Sequence, residues 1–351
     1  MLHKIRRKLV KIGLGLLLLI AMAWAGLRIF FHLKEIPIYD ARLTYNFIFH
    51  SDRPLKQYEN LAQKLGYTPS DKLLIIHADD LGLAKSVNQA SFDALSKGFV
   101  NSASVMMPSP FAKEVATYYL AHPQIDLGLH LTFTAEWADY KWPGVASPSK
   151  IGSLLDDEGS LHQNKVTVIK EGINAEIKTE LQAQIDYARA LGMSPTHMDS
   201  HEGTLFFDPT FFRTYLQVGH QNRIPVFVPK LLAPHFDEHF PLPPQVVLVD
   251  QMFMALKGTE LDDMESYYAE VLSSIKPGLN QLLIHLAFDD EEMRTITKGR
   301  EAYGAKWRAK DYQIVSSTKF QDLLKQNEIK LIQWRDIQAV LYPEANASNR
   351  L

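Results

Sequence analysis

Three short runs in this 351-residue chain carry acid and imidazole side chains in patterns that suit metal-assisted chemistry. The first is His77-Ala78-Asp79-Asp80-Leu81-Gly82, directly after the apolar run Leu73-Leu74-Ile75-Ile76. Adjacent carboxylates at the end of a buried strand are costly unless a cation or proton neutralises them. The second run is Gly128-Leu129-His130-Leu131-Thr132, and the third is Thr196-His197-Met198-Asp199-Ser200-His201. In an extended chain residues i, i+2 and i+4 share one face. His197, Asp199 and His201 are therefore expected to point the same way. Each run alone has a plainer reading: a helix-capping Asp, a packed core histidine, a hydrogen-bonded polar strand end. Taken together they form a carboxylate-and-imidazole set of the kind that binds Zn²⁺ and related divalent ions, with positions left for water and substrate. The chain has no cysteine, which excludes thiolate ligands, thiolate nucleophiles and disulfides.

Such residues need a frame that brings them together. A short continuous apolar run such as 73–76 reads as a strand buried on both faces. Further strands are expected at 103–107, 125–131, 196–199, 226–228, 246–249, 281–284 and 329–332. Helices are expected at 86–97, 111–121, 173–191, 209–221, 262–275 and 318–326. This alternation predicts parallel strands joined by crossover helices. The expected fold is α/β, a distorted (β/α) barrel of about seven parallel strands, with an open doubly wound sheet as competitor. In a barrel, functional residues sit just past the C-terminal ends of strands, where all three runs fall. The stretch from Phe133 to about Lys165 is too long for an ordinary connection and reads as a lid or rim. Its Phe133, Trp137, Tyr140 and Trp142 offer aromatic faces for sugar rings, or pack the loop down. Glu176, Lys178 and Glu180 are assigned to the polar side of the helix 173–191. Arg294 and Arg300 could meet an anionic substrate, but surface charge is the plainer reading. The Pro-rich segment 229–244 reads as a loop.

The N-terminus is of another kind. Lys4, Arg6, Arg7, Lys8 and Lys11 precede an apolar run from Ile12 to Leu27, then Arg28, then more apolar residues to Leu33. That order is expected of an export signal or an uncleaved membrane anchor with its basic end in the cytoplasm. The expected organisation is an anchor at 1–34, a linker with one helix (56–65) at 35–71, a catalytic barrel at 72–335 and a tail at 336–351. A net charge of −3 gives no sign of a nucleic-acid-binding surface. A homodimer is left open.

In series, the three runs resemble the motifs of the YdjC-like carbohydrate deacetylases of the chitooligosaccharide deacetylase type. The likeness spans roughly 72–229, with a weaker tail to 331. It implies a distorted (β/α) barrel and one divalent metal ion, Mg²⁺ or Zn²⁺, held by Asp80, His130 and His201. It implies Asp79 as general base and His285 as general acid in removing N-acetyl groups from amino-sugar carbohydrate. His77, His197, Asp199, Trp137 and Trp142 would support the site or touch substrate. Asp199 is expected to orient His197 or His285. The chain departs from the family at His77, at Glu202-Gly203-Thr204 after His201, and at Leu286 after His285. Those departures fall on the substrate rim more than on the metal core. Two other readings of the same residues remain: a metallohydrolase of another ester or phosphoester, and a non-catalytic glycan-binding barrel.

Overall fold

The computed structural model describes residues 2–33, 58, 60–230 and 246–343. The chain divides into two compact units, residues 1–44 and 45–351. The first is described as one helix, Leu2–Leu33. Within it, Val10–Phe30 is 21 residues long with a mean hydropathy of 2.1, enough by length and composition to cross a membrane.

The second unit is built on a parallel sheet. Its strands are β1 (Lys72–Leu81), β2 (Ser102–Val105), β3 (Leu127–Leu131), β4 (Met198–Ser200), β5 (Val228–Pro229), β6 (Leu248–Val249), β7 (Gln251–Phe253), β8 (Gly278–His285) and β9 (Ile329–Leu331). One seven-stranded sheet runs β4-β3-β2-β1-β8-β7, with β9 on β1, and β5 pairs with β6 separately. Every pairing is parallel. A parallel bridge from Met198 to Val226 leads from β4 towards β5. The result is the expected distorted barrel rather than a flat doubly wound sheet. β1 and β8 form its spine, paired without a break from Lys72↔Gly278 to Asp79↔His285. Leu73, Leu74, Ile75 and Ile76 are buried completely or nearly so, as a strand covered on both faces requires.

Several elements differ from the sequence expectation. β7 and the helices Lys165–Glu171, Glu291–Ile296, Ala305–Val315 and Trp334–Leu341 were not expected. The last crosses the expected boundary at 335, and Trp334 and Ile337 are fully buried. The helix expected at 56–65 is the single turn Leu61–Lys64, and residues 34–57 and 59 lie outside the described residues. So do 231–245 of the Pro-rich segment and 344–351 of the tail. Glu180 is not on a solvated face. It is buried, and its carboxylate accepts hydrogen bonds from the amides of Val145 (2.9 Å) and Ala146 (2.8 Å). Gln184, one turn on, accepts from Thr132 N–H at 3.0 Å and donates to Glu180 at 3.0 Å. A helix expected to be solvated on that side thus pins the long loop to the end of β3.

His197 fills the barrel interior. Its ring stacks on Trp334 (centroids 5.2 Å, 20°) and meets His77 edge-on at 4.9 Å. Gly128 on β3 leaves room for it: a Cβ there would sit 2.5 Å from two His197 ring atoms. Gly128→Ala is therefore expected to cost about 1–3 kcal/mol, as overpacking of a closed core does. Chemical denaturation checks this, and an unchanged midpoint would show that the ring can move aside.

Candidate active site

Consecutive residues of a regular strand point to opposite faces, yet Asp79 and Asp80 both reach one cluster. The cause is a bulge. Ala78 pairs with Ala103 and Leu81 with Val105, so Asp79 and Asp80 together stand opposite Ser104 alone. Asp80 takes a left-handed backbone (φ 68°), a conformation uncommon outside glycine but tolerated by aspartate. Gly82 follows at φ 93°, where a Cβ would meet Ser109 Oγ at 2.6 Å. Bulges of this kind re-aim side chains next to functional sites.

Register supplies the rest. Asp79 is paired with His285, and His130 with Asp199. His201 comes just after β4, where Glu202 (φ 53°) and Gly203 (φ 67°) turn the chain. Asp79, Asp80, His130, Asp199, His201 and Glu136 are all buried, and His285 nearly so.

Asp80, His130 and His201 converge. Asp80 Oδ1 lies 3.2 Å from His130 Nε2 and 3.2 Å from His201 Nδ1. Neither approach is aligned as a hydrogen bond, and Asp80 Oδ1 is a buried oxygen with no hydrogen-bond partner. A buried carboxylate oxygen left unpaired is expensive. One oxygen and two imidazole nitrogens facing a common point fit a divalent cation. Asp79, His130 and Asp199 form a second candidate group. That group is already closed on itself, because Asp199 Oδ1 and His130 Nδ1 share a hydrogen bond of 2.6 Å. The surrounding partners hold the first set in place. Arg308, itself buried, donates to Asp80 Oδ2 at 2.6 Å, which leaves Oδ1 for the common point. Glu136 Oε2 is 3.0 Å from His201 Nε2. Asp199 orients His130, where His197 or His285 was expected, and its other oxygen lies 3.0 Å from His77 Nε2. His77 also touches Ser102 (2.9 Å), Ser104 (3.0 Å) and Asp79 Oδ1 (3.1 Å). Imidazole ligands are commonly braced in this way through the other ring nitrogen.

Charge explains the titration of these groups. Burial pulls His201 down, but the carboxylates of Glu136 and Asp80 outweigh it and lift it to about 10. Burial likewise opposes the rise of His130, which Asp199 and Asp79 hold well above its ordinary value. For His77 the same contest, with Asp199 and Asp79, ends at about 9. Burial pushes Asp80 up, yet Arg308 and the two imidazoles hold it well below the usual carboxylate range. The pocket therefore favours positive charge at the point where the three ligand atoms meet. His285 goes the other way: burial, assisted by Arg308, lowers it to about 4 against the pull of Asp80 and Asp79.

Of the two readings of the loop aromatics, sugar contact or packing, the structure has the indoles of Trp137 and Trp142 buried. Trp142 is buried against Tyr140, and Trp137 is buried under the guanidinium of Arg300. They pack the loop down. Residues the motifs did not indicate are Arg308, Glu136 and Asp311. Asp311 accepts from the His285 amide (3.1 Å) and from Tyr268 (2.6 Å). Burial raises its pKa to about 7. Arg308 and Asp311 at i, i+3, with Ile314 at helical spacing, were the available signal for that helix. Glu136 sits in irregular chain and had none.

A family model described as YdjC-like protein matches residues 73–326. A carbohydrate deacetylase of Thermoanaerobacter pseudethanolicus is 26% identical over 74% of this chain and 97% of its own. One from Thermus thermophilus is 28% identical over 81% and 100%. A chitooligosaccharide deacetylase of Yersinia pestis is 29% identical over 61% of this chain and 76% of its own. In fold, the chain resembles an Enterococcus faecalis protein named as a candidate cellobiose-phosphate cleavage protein. Their TM-score is 0.64 at 21% identity, covering 76% of this chain and 99% of that one. The matched stretch contains every acid and imidazole that converges at the barrel mouth, and by that match the chain belongs to the YdjC-like family.

Proposed function

We propose that this protein is a metal-dependent carbohydrate deacetylase that hydrolyses the acetamide of an N-acetylated amino sugar. The observation that carries the reading is the meeting of Asp80 Oδ1, a buried oxygen with no hydrogen-bond partner, with His130 Nε2 and His201 Nδ1, beside a second carboxylate, Asp79. The relatives named as carbohydrate and chitooligosaccharide deacetylases support the substrate class.

Asp80, His130 and His201 would hold one divalent ion, Zn²⁺ or Mg²⁺. When bound it supplies Lewis acidity, polarising the acetyl carbonyl and making water a better nucleophile. Asp79 takes the water's proton as general base. Its Oδ1 is braced by His77 at 3.1 Å, and its Oδ2 lies 4.0 Å from His285 Nε2. His285, lowered to about 4, starts the reaction neutral. It can protonate the leaving amine only after taking up a proton, and Asp79 is where that proton is first held. Asp311 fixes His285 through its backbone amide. The test is acetate release by the full chain, loaded with Zn²⁺ or Mg²⁺, from N-acetylglucosamine oligomers. Stoichiometric metal with no acetate would move the search to other ester or phosphoester substrates.

Ligand protonation gives a second expectation. Without a cation, His201 at about 10 and His130 above its ordinary value carry protons at pH 7. A ligating nitrogen must be bare, so ion uptake releases protons and tightens as pH rises towards 10. Calorimetry in buffers of different ionisation enthalpy reads that release. Its absence at pH 7 would show that both imidazoles are already bare before the ion binds.

The helix Leu2–Leu33 would anchor the protein in a membrane, with the basic N-terminal residues on the cytoplasmic side and the barrel exported. Carbonate extraction of membranes distinguishes this from a cleaved signal: an anchored chain stays in the pellet.

A further inference from the structure

Two arginines lie between β8 and the helix Ala305–Val315, and only one of them is paired with a carboxylate among the described residues. Arg294 meets both oxygens of Asp289, through Nε at 2.8 Å and Nη2 at 3.0 Å. Arg300 lies instead over the Trp137 ring, 4.9 Å from its centroid, and donates through Nη2 to the Glu136 carbonyl at 2.7 Å. Among the described residues no carboxylate pairs with Arg300, and its side chain is exposed. A ring face and a carbonyl orient a guanidinium without cancelling its charge.

Its place matters. The carboxylate of Glu136 braces His201, whose other nitrogen faces Asp80. Arg300 thus presents an oriented cation one residue away from a ligand of the proposed metal. Glu136 is matched by His201. Glu202 is close to both, but Lys165 reaches only its backbone carbonyl, at 3.3 Å, and one buried oxygen of its carboxylate has no hydrogen-bond partner. Among the described residues neither carboxylate pairs with Arg300, which is held by the Trp137 ring and the Glu136 carbonyl.

We propose that Arg300 recognises a carboxylate on the substrate, so that the favoured substrate is an acetylated amino-sugar glycan bearing a uronic or other carboxylic acid beside the acetamide. The proposal rests on the deacetylase reading above. A guanidinium fork matches a carboxylate in shape. One guanidinium also matches one negative charge, whereas a phosphate brings about −1.5 to −2 at pH 7. With the Glu202 carboxylate close by, a second negative charge would be unfavourable.

The experiment uses the full chain in detergent, loaded with divalent metal, and compares three oligosaccharides of equal length. One is N-acetylglucosamine alone, one alternates it with a uronic acid, and one carries a phosphate. Acetate release gives kcat/KM, and calorimetry gives Kd. The uronate oligomer is expected to exceed the neutral one by about tenfold or more. That ratio falls towards one in Arg300→Met and recovers in part in Arg300→Lys. Reading a ratio separates recognition from any general loss through the Glu136 contact. A ratio unchanged by Arg300→Met, or a wild-type preference for the neutral or phosphorylated oligomer, overturns the proposal. If no oligomer releases acetate, the deacetylase reading fails by itself, and the ratio of Kd values still decides the role of Arg300.

Discussion

Asp80→Asn is expected to abolish both metal uptake and acetate release, lowering kcat/KM by about a thousandfold. Asparagine is the informative replacement because it keeps an oxygen for Arg308, which donates to Asp80 Oδ2 at 2.6 Å. Removing the whole side chain would leave a buried guanidinium unpaired and cost about 3–5 kcal/mol of stability. Loss of function would then be confounded with unfolding. With asparagine the shape stays while the negative charge facing His130 and His201 goes. Bound metal is measured by elemental analysis, and folding by near-ultraviolet circular dichroism. A folded Asp80→Asn protein that keeps stoichiometric metal would show that the ion sits elsewhere, with Asp79, His130 and Asp199 as the next group to test.

Asp79→Asn separates the two carboxylates. If Asp79 is the general base, metal binding survives and kcat falls by about 10²- to 10⁴-fold. KM should change little, because a base acts on the water's proton rather than on the bound sugar. The neighbours make the substitution mild in structure, since His77 Nε2 still has Asp199 Oδ2 at 3.0 Å and Ser104 Oγ at 3.0 Å. Loss of metal in this variant would instead make Asp79 a ligand. Activity within about twofold of the parent would remove it from proton transfer.

The acid-and-imidazole cluster was largely legible in sequence because its parts lie at strand ends that apolar runs mark. The runs at 73–76, 125–131 and 281–284 fall on β1, β3 and β8, and the acids and imidazoles follow at their C-terminal ends. The helices between 286 and 317 were not legible. The helix Ala305–Val315 buries a charged Arg308 and Asp311 where a periodic apolar stripe is the usual marker. The same cause misplaced Glu180, a carboxylate whose spacing suggests a solvated face but which is spent on two loop amides. For the aromatic loop the sequence left two readings open, because indoles suited to a sugar face serve equally well as packing.

From sequence alone, the residue types and their order determine which side chains could face an ion: carboxylate and imidazole, no thiolate, at the ends of parallel strands. They also determine a charged-then-apolar N-terminal segment distinct from the barrel. Which nitrogen or oxygen faces which was decided only in three dimensions. Asp79 and Asp80 are neighbours that a regular strand would send to opposite faces. It is the bulge opposite Ser104, with Asp80 at φ 68°, that turns both into one pocket. His197 and His201 are four apart and were expected to share a face, yet one packs on Trp334 and the other meets Asp80. Extended geometry ends at Ser200, so the period-two rule does not reach His201. Arg308, 228 residues from Asp80 in the chain, completes the site through a contact that only packing of the last helices against β8 and β1 can make.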